Sequence, residues 1–266
     1  MLPVFLKYGD RQRPHHVVTY DLTTNKCREP EVEELQSKID WFEQAWRSSG
    51  ARAILHNSLR KLTHTARIAN IICIGLGTMD TKEWKGARSI LQHVVASFIA
   101  QDLTQLYEAE GIPLENSIEI YAQDPAYTHL DRIALGQLLP RRIRAGADPK
   151  GFLAIRDDSL VFSSWPSVPV KQLIADLTVD VPDALGPAAL FLNNNHEDKV
   201  HGDLDVVRYN RDDPVRHTNA ESKAYVKLLE SYTQVLDGER QFGIGFRDKL
   251  PGFEWLSEMD IWGREE

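Results

Sequence analysis

Gly75, Gly77 and Thr78 follow directly on the apolar run Ile71-Ile-Cys-Ile74, and Asp124, Pro125 and Tyr127 follow closely on a second, Ile118-Glu-Ile-Tyr-Ala122. Small and polar residues at the end of a buried parallel strand are the usual lining of a ligand crevice. Glycines there allow a tight turn and a close approach of ligand to backbone, and Asp124 offers a carboxylate able to accept two hydrogen bonds from a hydroxyl-bearing ligand such as a ribose. Asp124, Tyr127 and His196 are the side chains that would handle a proton if the crevice were catalytic.

Two further runs deliver comparable residues. Leu160-Val-Phe162 is followed by Ser163, Ser164 and Trp165, and Ala188-Ala-Leu-Phe-Leu192 by Asn193, Asn194, Asn195 and His196. If the runs are parallel strands, all four polar sets share one edge of a sheet and meet in space. Strand ends are polar for reasons of turn formation too, so the convergence, not any single set, carries the expectation of a site.

The glycine turn departs from a dinucleotide fingerprint. Gly75 and Gly77 match its first two glycines, but Asp80 stands where the third belongs, and an acid at a helix N-terminus repels a pyrophosphate. Asp80 and Glu83 have instead the spacing of a capping box. Asp124 lies 47 positions beyond Gly77, against about 20 for the ribose-binding acid of that fingerprint. A nicotinamide nucleotide is therefore a poorer expectation than a ligand without phosphates at this turn, such as S-adenosylmethionine. His196, Asp198, His201 and Asp203 match no standard metal spacing and read as a solvated loop, so no metal site is expected. No Gly-x-Ser-x-Gly elbow is present around Ser163 or Ser164.

These residues need an alternating sheet and helix frame. A helix over about 82–109 carries Leu91, Val94, Val95, Phe98, Leu103 and Leu106 on a long apolar face, and helices are also expected near 129–139, 168–178 and 219–236. Phe152-Leu-Ala-Ile155 reads as a short extended piece, and Arg141-Arg142-Ile143-Arg144 as a basic helix end. The pattern predicts an α/β, Rossmann-like, mostly parallel sheet flanked by helices. An arm with a short extended piece at Val17-Val-Thr-Tyr20 and two helices (Val32, Leu35, Ile39, Phe42, Trp46, then 51–63) would form an N-terminal extension over 1–65, leaving 66–266 as the core with an aromatic tail bearing Trp255 and Trp262.

Composition narrows the partners. The 266 residues are 42% hydrophobic, enough for a large core, and 39 acids against 31 bases give a net charge of -8, which disfavours a nucleic-acid surface. No apolar run reaches membrane-spanning length, and Cys27 and Cys73 are too few and too far apart to suggest a disulfide framework. A protein of the cytoplasm or nucleus is expected, taking a small-molecule ligand and, through the aromatic tail, a protein partner.

The stretch Ile72-Cys-Ile-Gly-Leu-Gly-Thr78, the Gln92-His-Val segment of the long helix, Ala122-Gln-Asp-Pro-Ala-Tyr-Thr128, Leu135-Gly136 and the run from Val161 to Asp176 together resemble the "sensitivity to red light reduced"-like domain, its fungal form especially. The resemblance is clearest over about 70–180. It implies a Rossmann-like domain in a family linked to circadian and light-response regulation and to haem metabolism, with no settled catalytic activity. Gly75, Gly77, Asp124 and Pro125 match the family's positions. A Pro-His-Cys element found in plant and animal members is absent, since Pro166 is followed by Ser167 and Val168.

Overall fold

The computed structural model describes residues 29–79, 84–166, 168–178, 184–194, 222–244, 246 and 252–266. The extended piece at 17–20, Cys27, the Asp80 and Glu83 pair, Ser167, and Asn195 to Asp203 with His196 lie outside the described residues.

Two helices lead in. In α1 (Glu29–Arg47) the expected stripe Leu35, Ile39, Phe42 and Trp46 is buried, each such side chain stabilising by roughly 1.5–3 kcal/mol. Helix α2 (Gly50–Leu62) starts at Ser49, whose side chain accepts from the Arg52 N–H, the usual answer to an unpaired first-turn amide. Both lie on α3 (Trp84–Ala109), where Asp102 pairs with Arg52 at 3.4 Å and His56 at 3.3 Å. Sandwiched between these helices and the sheet, α3 buries residues on all sides, including Gln92, His93, Ser97 and Asp102.

Strands β1 (Asn70–Ile74) and β2 (Glu119–Gln123) flank and follow α3. Helix α4 (His129–Ile133) runs into a π-helical turn at Ala134–Leu138, and then come β3 (Ile143–Gly146), α5 (Lys150–Leu153), β4 (Ser159–Ser163), α6 (Val170–Asp176) and β5 (Ala189–Asn193). The described chain ends with α7 (Lys223–Leu229), β6 (Tyr232–Leu236), α8 (Gly238–Phe242), a 3-10 turn at Glu254–Glu258 and β7 (Met259–Arg264).

The seven strands form one sheet in the order β3-β2-β1-β4-β5-β7-β6. Strands β1 to β5 are parallel, whereas β7 runs antiparallel to both β5 and β6. The fold is therefore α/β and Rossmann-like, as the alternating pattern predicted. Side chains alternate across it: Ile71, Cys73, Phe162 and Phe191 meet the α3 side, while Ile72, Ile74, Val161 and Leu190 meet α6 and α7. Cys73 behaves as a small hydrophobe, its thiol pushed well up by burial. Among the described residues no helix is long and apolar enough to cross a membrane.

Three sequence expectations are corrected. The basic stretch 141–144 is no helix end; its second half begins the edge strand β3, which exposes Arg144 to Glu119 at 2.8 Å. Phe152-Leu-Ala-Ile155 is not extended but the end of α5 and the turn after it. The helix expected to reach 236 stops at Leu229, and 232–236 is strand β6. Of the aromatic tail, Trp255 turns inward: it is 1% exposed and packs on Phe162 and Phe191 at ring distances of 5.8 and 6.0 Å, while the half-buried Trp262 lies in β7.

Candidate functional site

Strand β1 leads toward β2 and β3 on one side of the sheet and adjoins β4 and β5 on the other, so its junction with β4 is the topological switch point. The loops after β1 and β4 touch there. Gly75 and Gly77 have φ of 71° and 79°, which glycine adopts at little cost. Packing also demands them: a Cβ on Gly75 would lie 3.0 Å from Pro166 Cβ and 3.1 Å from its Cα, and one on Gly77 would lie 2.6 Å from Ser89 Oγ. The glycines thus let the β4 loop and α3 approach the backbone closely.

Two carboxylates tie the glycine loop to the segment after β2. Asp124 accepts from the Gly77 N–H at 2.7 Å and the Ala126 N–H at 2.8 Å. Asp131, 1% exposed, accepts from the Met79 N–H at 2.7 Å, Thr78 Oγ1 at 2.8 Å, the Thr128 N–H at 2.7 Å and Thr128 Oγ1 at 2.8 Å. The Thr128 N–H bond, with the Asp131 N–H donating back to Thr128 Oγ1 at 3.2 Å, forms the capping box of α4. Asp131 was not among the expected site residues, although Thr128-x-x-Asp131 has the capping-box spacing. Burial pushes the Asp124 carboxyl up, opposed by its two amide donors. The Gly77 and Met79 amides, committed to carboxylates, are not free to hold a phosphate.

The β4 side is as firmly built. Ser163 Oγ donates to Ile74 O at 2.7 Å. The Gln92 amide satisfies three neighbours when its oxygen faces Arg88 Nε (3.3 Å) and Ser164 Oγ (2.9 Å) and its nitrogen faces Leu76 O (3.1 Å). Trp165 has φ of 56°, a left-handed conformation that costs a bulky residue of order 1–3 kcal/mol. Its indole N–H donates to Glu258 Oε2 at 2.7 Å, and Arg88 approaches the same oxygen at 3.5 Å. At the end of β5, Asn193 is buried, the Asn194 N–H donates to Glu258 O at 2.6 Å and its side chain to Asp260 at 2.7 Å. The sets bearing Gly77, Asp124, Trp165 and Asn193 therefore share one edge, joined by α3 and the turn before β7, and Pro125 stands exposed beside Asp124.

The family model of the SRR1 domain matches residues 52–244. The chain belongs to the SRR1 domain family. This is a regulatory family related to light and circadian responses, as the resemblance implied. No curated protein matches the chain.

Within this SRR1 domain Tyr127 faces inward. It is 4% exposed, and its hydroxyl meets His93 Nε2 at 2.7 Å while His93 Nδ1 meets Ser89 O at 2.7 Å. A carbonyl can only accept, so Nδ1 carries the proton and neutral Nε2 accepts from the phenol. Burial holds the Tyr127 phenol well above its ordinary range, with the Asp124 charge adding to the shift. A phenol so placed is a hydrogen-bond donor to His93. Both His93 nitrogens are taken, so it offers no ligand to a haem iron.

Burial also lowers the His93 pKa. Because the folded value lies below the unfolded 6.5, the unfolded chain binds the extra proton, and this stability is fully present above about pH 6.5 and lost as pH falls through the folded value. Urea unfolding of the wild type between pH 7.5 and 5.5 should show stability falling with acid by up to about 1.4 kcal/mol per pH unit from this group. His93→Gln should flatten that component, and an unchanged slope in the variant would remove His93 as its source.

Proposed function

We propose that this SRR1-domain protein is a regulator that binds a small ligand in the crevice between the loops after β1 and β4. The observation that carries the reading is the meeting of residues 75–79, 124–128 and 164–166 at the switch point, where doubly wound sheets take their ligands. Gly75, Gly77 and Thr78 shape the floor, Asp124 retains lone pairs for a hydroxyl or amine, and Ser164, Trp165 and Asn193 form the opposite wall. The committed amides of Gly77 and Met79 favour a ligand that places no phosphate at the turn, which counts against a nicotinamide dinucleotide.

The second reading is an enzyme using S-adenosylmethionine. It is favoured by the glycine loop, whose Gly77 and Met79 amides are committed to carboxylates and so suit a nucleoside ligand with no phosphate at this turn. Thermal unfolding with S-adenosylmethionine, NADH and haem separates the readings. A ligand at a hundredfold excess over its dissociation constant stabilises the folded chain by about 2.7 kcal/mol, a melting shift of several degrees. Stabilisation by S-adenosylmethionine together with methyl transfer would establish the second reading. No shift with any small molecule tried, including extracts of the source cells, would sink the crevice proposal.

A further inference from the structure

Two donors from different elements converge on one carboxylate oxygen at the edge of the crevice: the Trp165 indole N–H and the Arg88 guanidinium, 2.7 and 3.5 Å from Glu258 Oε2. An N–H donor beside a guanidinium is a carboxylate receptor. Its donors are held in place independently of the occupant. The Trp165 backbone is left-handed, and Gln92, 2% exposed, accepts from Arg88 Nε at 3.3 Å when its amide oxygen faces Arg88. The occupant is held less firmly. The Glu258 side chain is 45% exposed, it projects from a single 3-10 turn, and its distance to Arg88 exceeds the roughly 2.7–2.9 Å of a strong charge-assisted bond.

We propose that Arg88 and the Trp165 indole form a subsite for the carboxylate of a small-molecule ligand, and that Glu258 fills this subsite until the ligand carboxylate displaces it. The exchange replaces one carboxylate by another, so the half-buried Arg88 is never left facing the crevice without a counter-charge, and Glu258 turns out into water. Burial lowers the Arg88 pKa and the charges of Glu258 and Glu254 oppose that shift, in keeping with a partly desolvated cation that needs an anion beside it. The inference deepens the crevice reading by naming one functional group of its ligand.

The test follows the indole N–H resonance of Trp165 in the full chain, assigned by its loss in Trp165→Phe, during titration with acetate and L-methionine, with L-methioninamide and chloride as controls. In Glu258→Ala, acetate should shift the resonance at a midpoint roughly tenfold below that of the wild type, because a tethered competitor at millimolar effective concentration has been removed. Glu258→Gln keeps the shape and an acceptor without the charge, and should fall between. The response should vanish when Arg88→Met is added to Glu258→Ala. A Trp165 resonance that ignores acetate in both Glu258 variants, that moves equally with chloride, or that responds fully without Arg88 overturns the proposal. A ligand that stabilises the protein while Trp165 stays indifferent to carboxylates would leave the crevice reading standing and remove only the subsite. An acetate response without any stabilising ligand would do the reverse.

Discussion

Asp131→Ala should destabilise the folded chain by about 2–4 kcal/mol, more than any other single carboxylate removal at the site, because it leaves buried donors without their acceptor. Four hydrogen bonds end on this one side chain, and two of their donors, Thr78 Oγ1 and the Met79 N–H, belong to the glycine loop. The Thr128 groups are exposed and can turn to water, whereas Met79 is 0% exposed and its amide has nowhere else to go. Asp124 provides the comparison. It also accepts two backbone amides, but it is only half-buried and the Ala126 N–H is exposed, so Asp124→Ala should cost about 1–2 kcal/mol. Urea unfolding of both variants at pH 7.5 ranks them. An Asp131→Ala protein more stable than Asp124→Ala would show that the loop is held by its glycines and packing, with the carboxylates incidental.

That ranking was not readable from the chain, and the reason is physical. Strands β1, β4 and β5 were legible because a strand buried on both faces must be apolar nearly throughout, β2 because Ile118, Ile120 and Ala122 alternate toward the core, and α3 because a helix of its length repeats its pattern many times. Edge strands carry no such mark. In β3 only Ile143 and Gly146 are buried, so Arg144 and the two arginines before the strand dominated the reading, and in β6 Tyr232, Val235 and Leu236 continue the three- and four-residue spacing of α7 past the break at Ser231. At the site, the residues that topology delivers to strand ends were legible, since the parallel sheet alone brings them together. The partners that fix them were not. Asp131 reaches an amide 52 positions away, and Glu258 meets an indole 93 positions away. Hydrogen bonds to backbone leave no spacing in the sequence beyond the local capping box, and Tyr127 and His93 gave no sign that each would turn inward onto the other.

Gly75→Ala and Gly77→Ala should differ although both residues are left-handed. An alanine costs about 1–2 kcal/mol at either position for backbone conformation alone. At Gly75 the new methyl group runs into the backbone and ring of Pro166, which cannot rotate away, and overpacking of this kind adds about 1–3 kcal/mol. Pro166→Gly would remove the side-chain carbon at 3.0 Å but leave the backbone carbon at 3.1 Å, so it should rescue little. At Gly77 the new methyl group meets only Ser89 Oγ at 2.6 Å, with Ser89 Cβ at an ordinary 3.7 Å. Ser89→Ala should therefore relieve the clash, leaving Gly77→Ala/Ser89→Ala with little beyond its backbone cost and a clear coupling in the double-mutant cycle. The two loops should also respond differently at a distance. Pro166 is bonded to Trp165, so Gly75→Ala should move the Trp165 indole N–H resonance by disturbing its hydrogen bond to Glu258, while Gly77→Ala leaves that resonance in place. If Gly77→Ala shifts Trp165 as strongly as Gly75→Ala does, the β1 and β4 loops move as one body, and a ligand wedged between them would have no separate walls to bind.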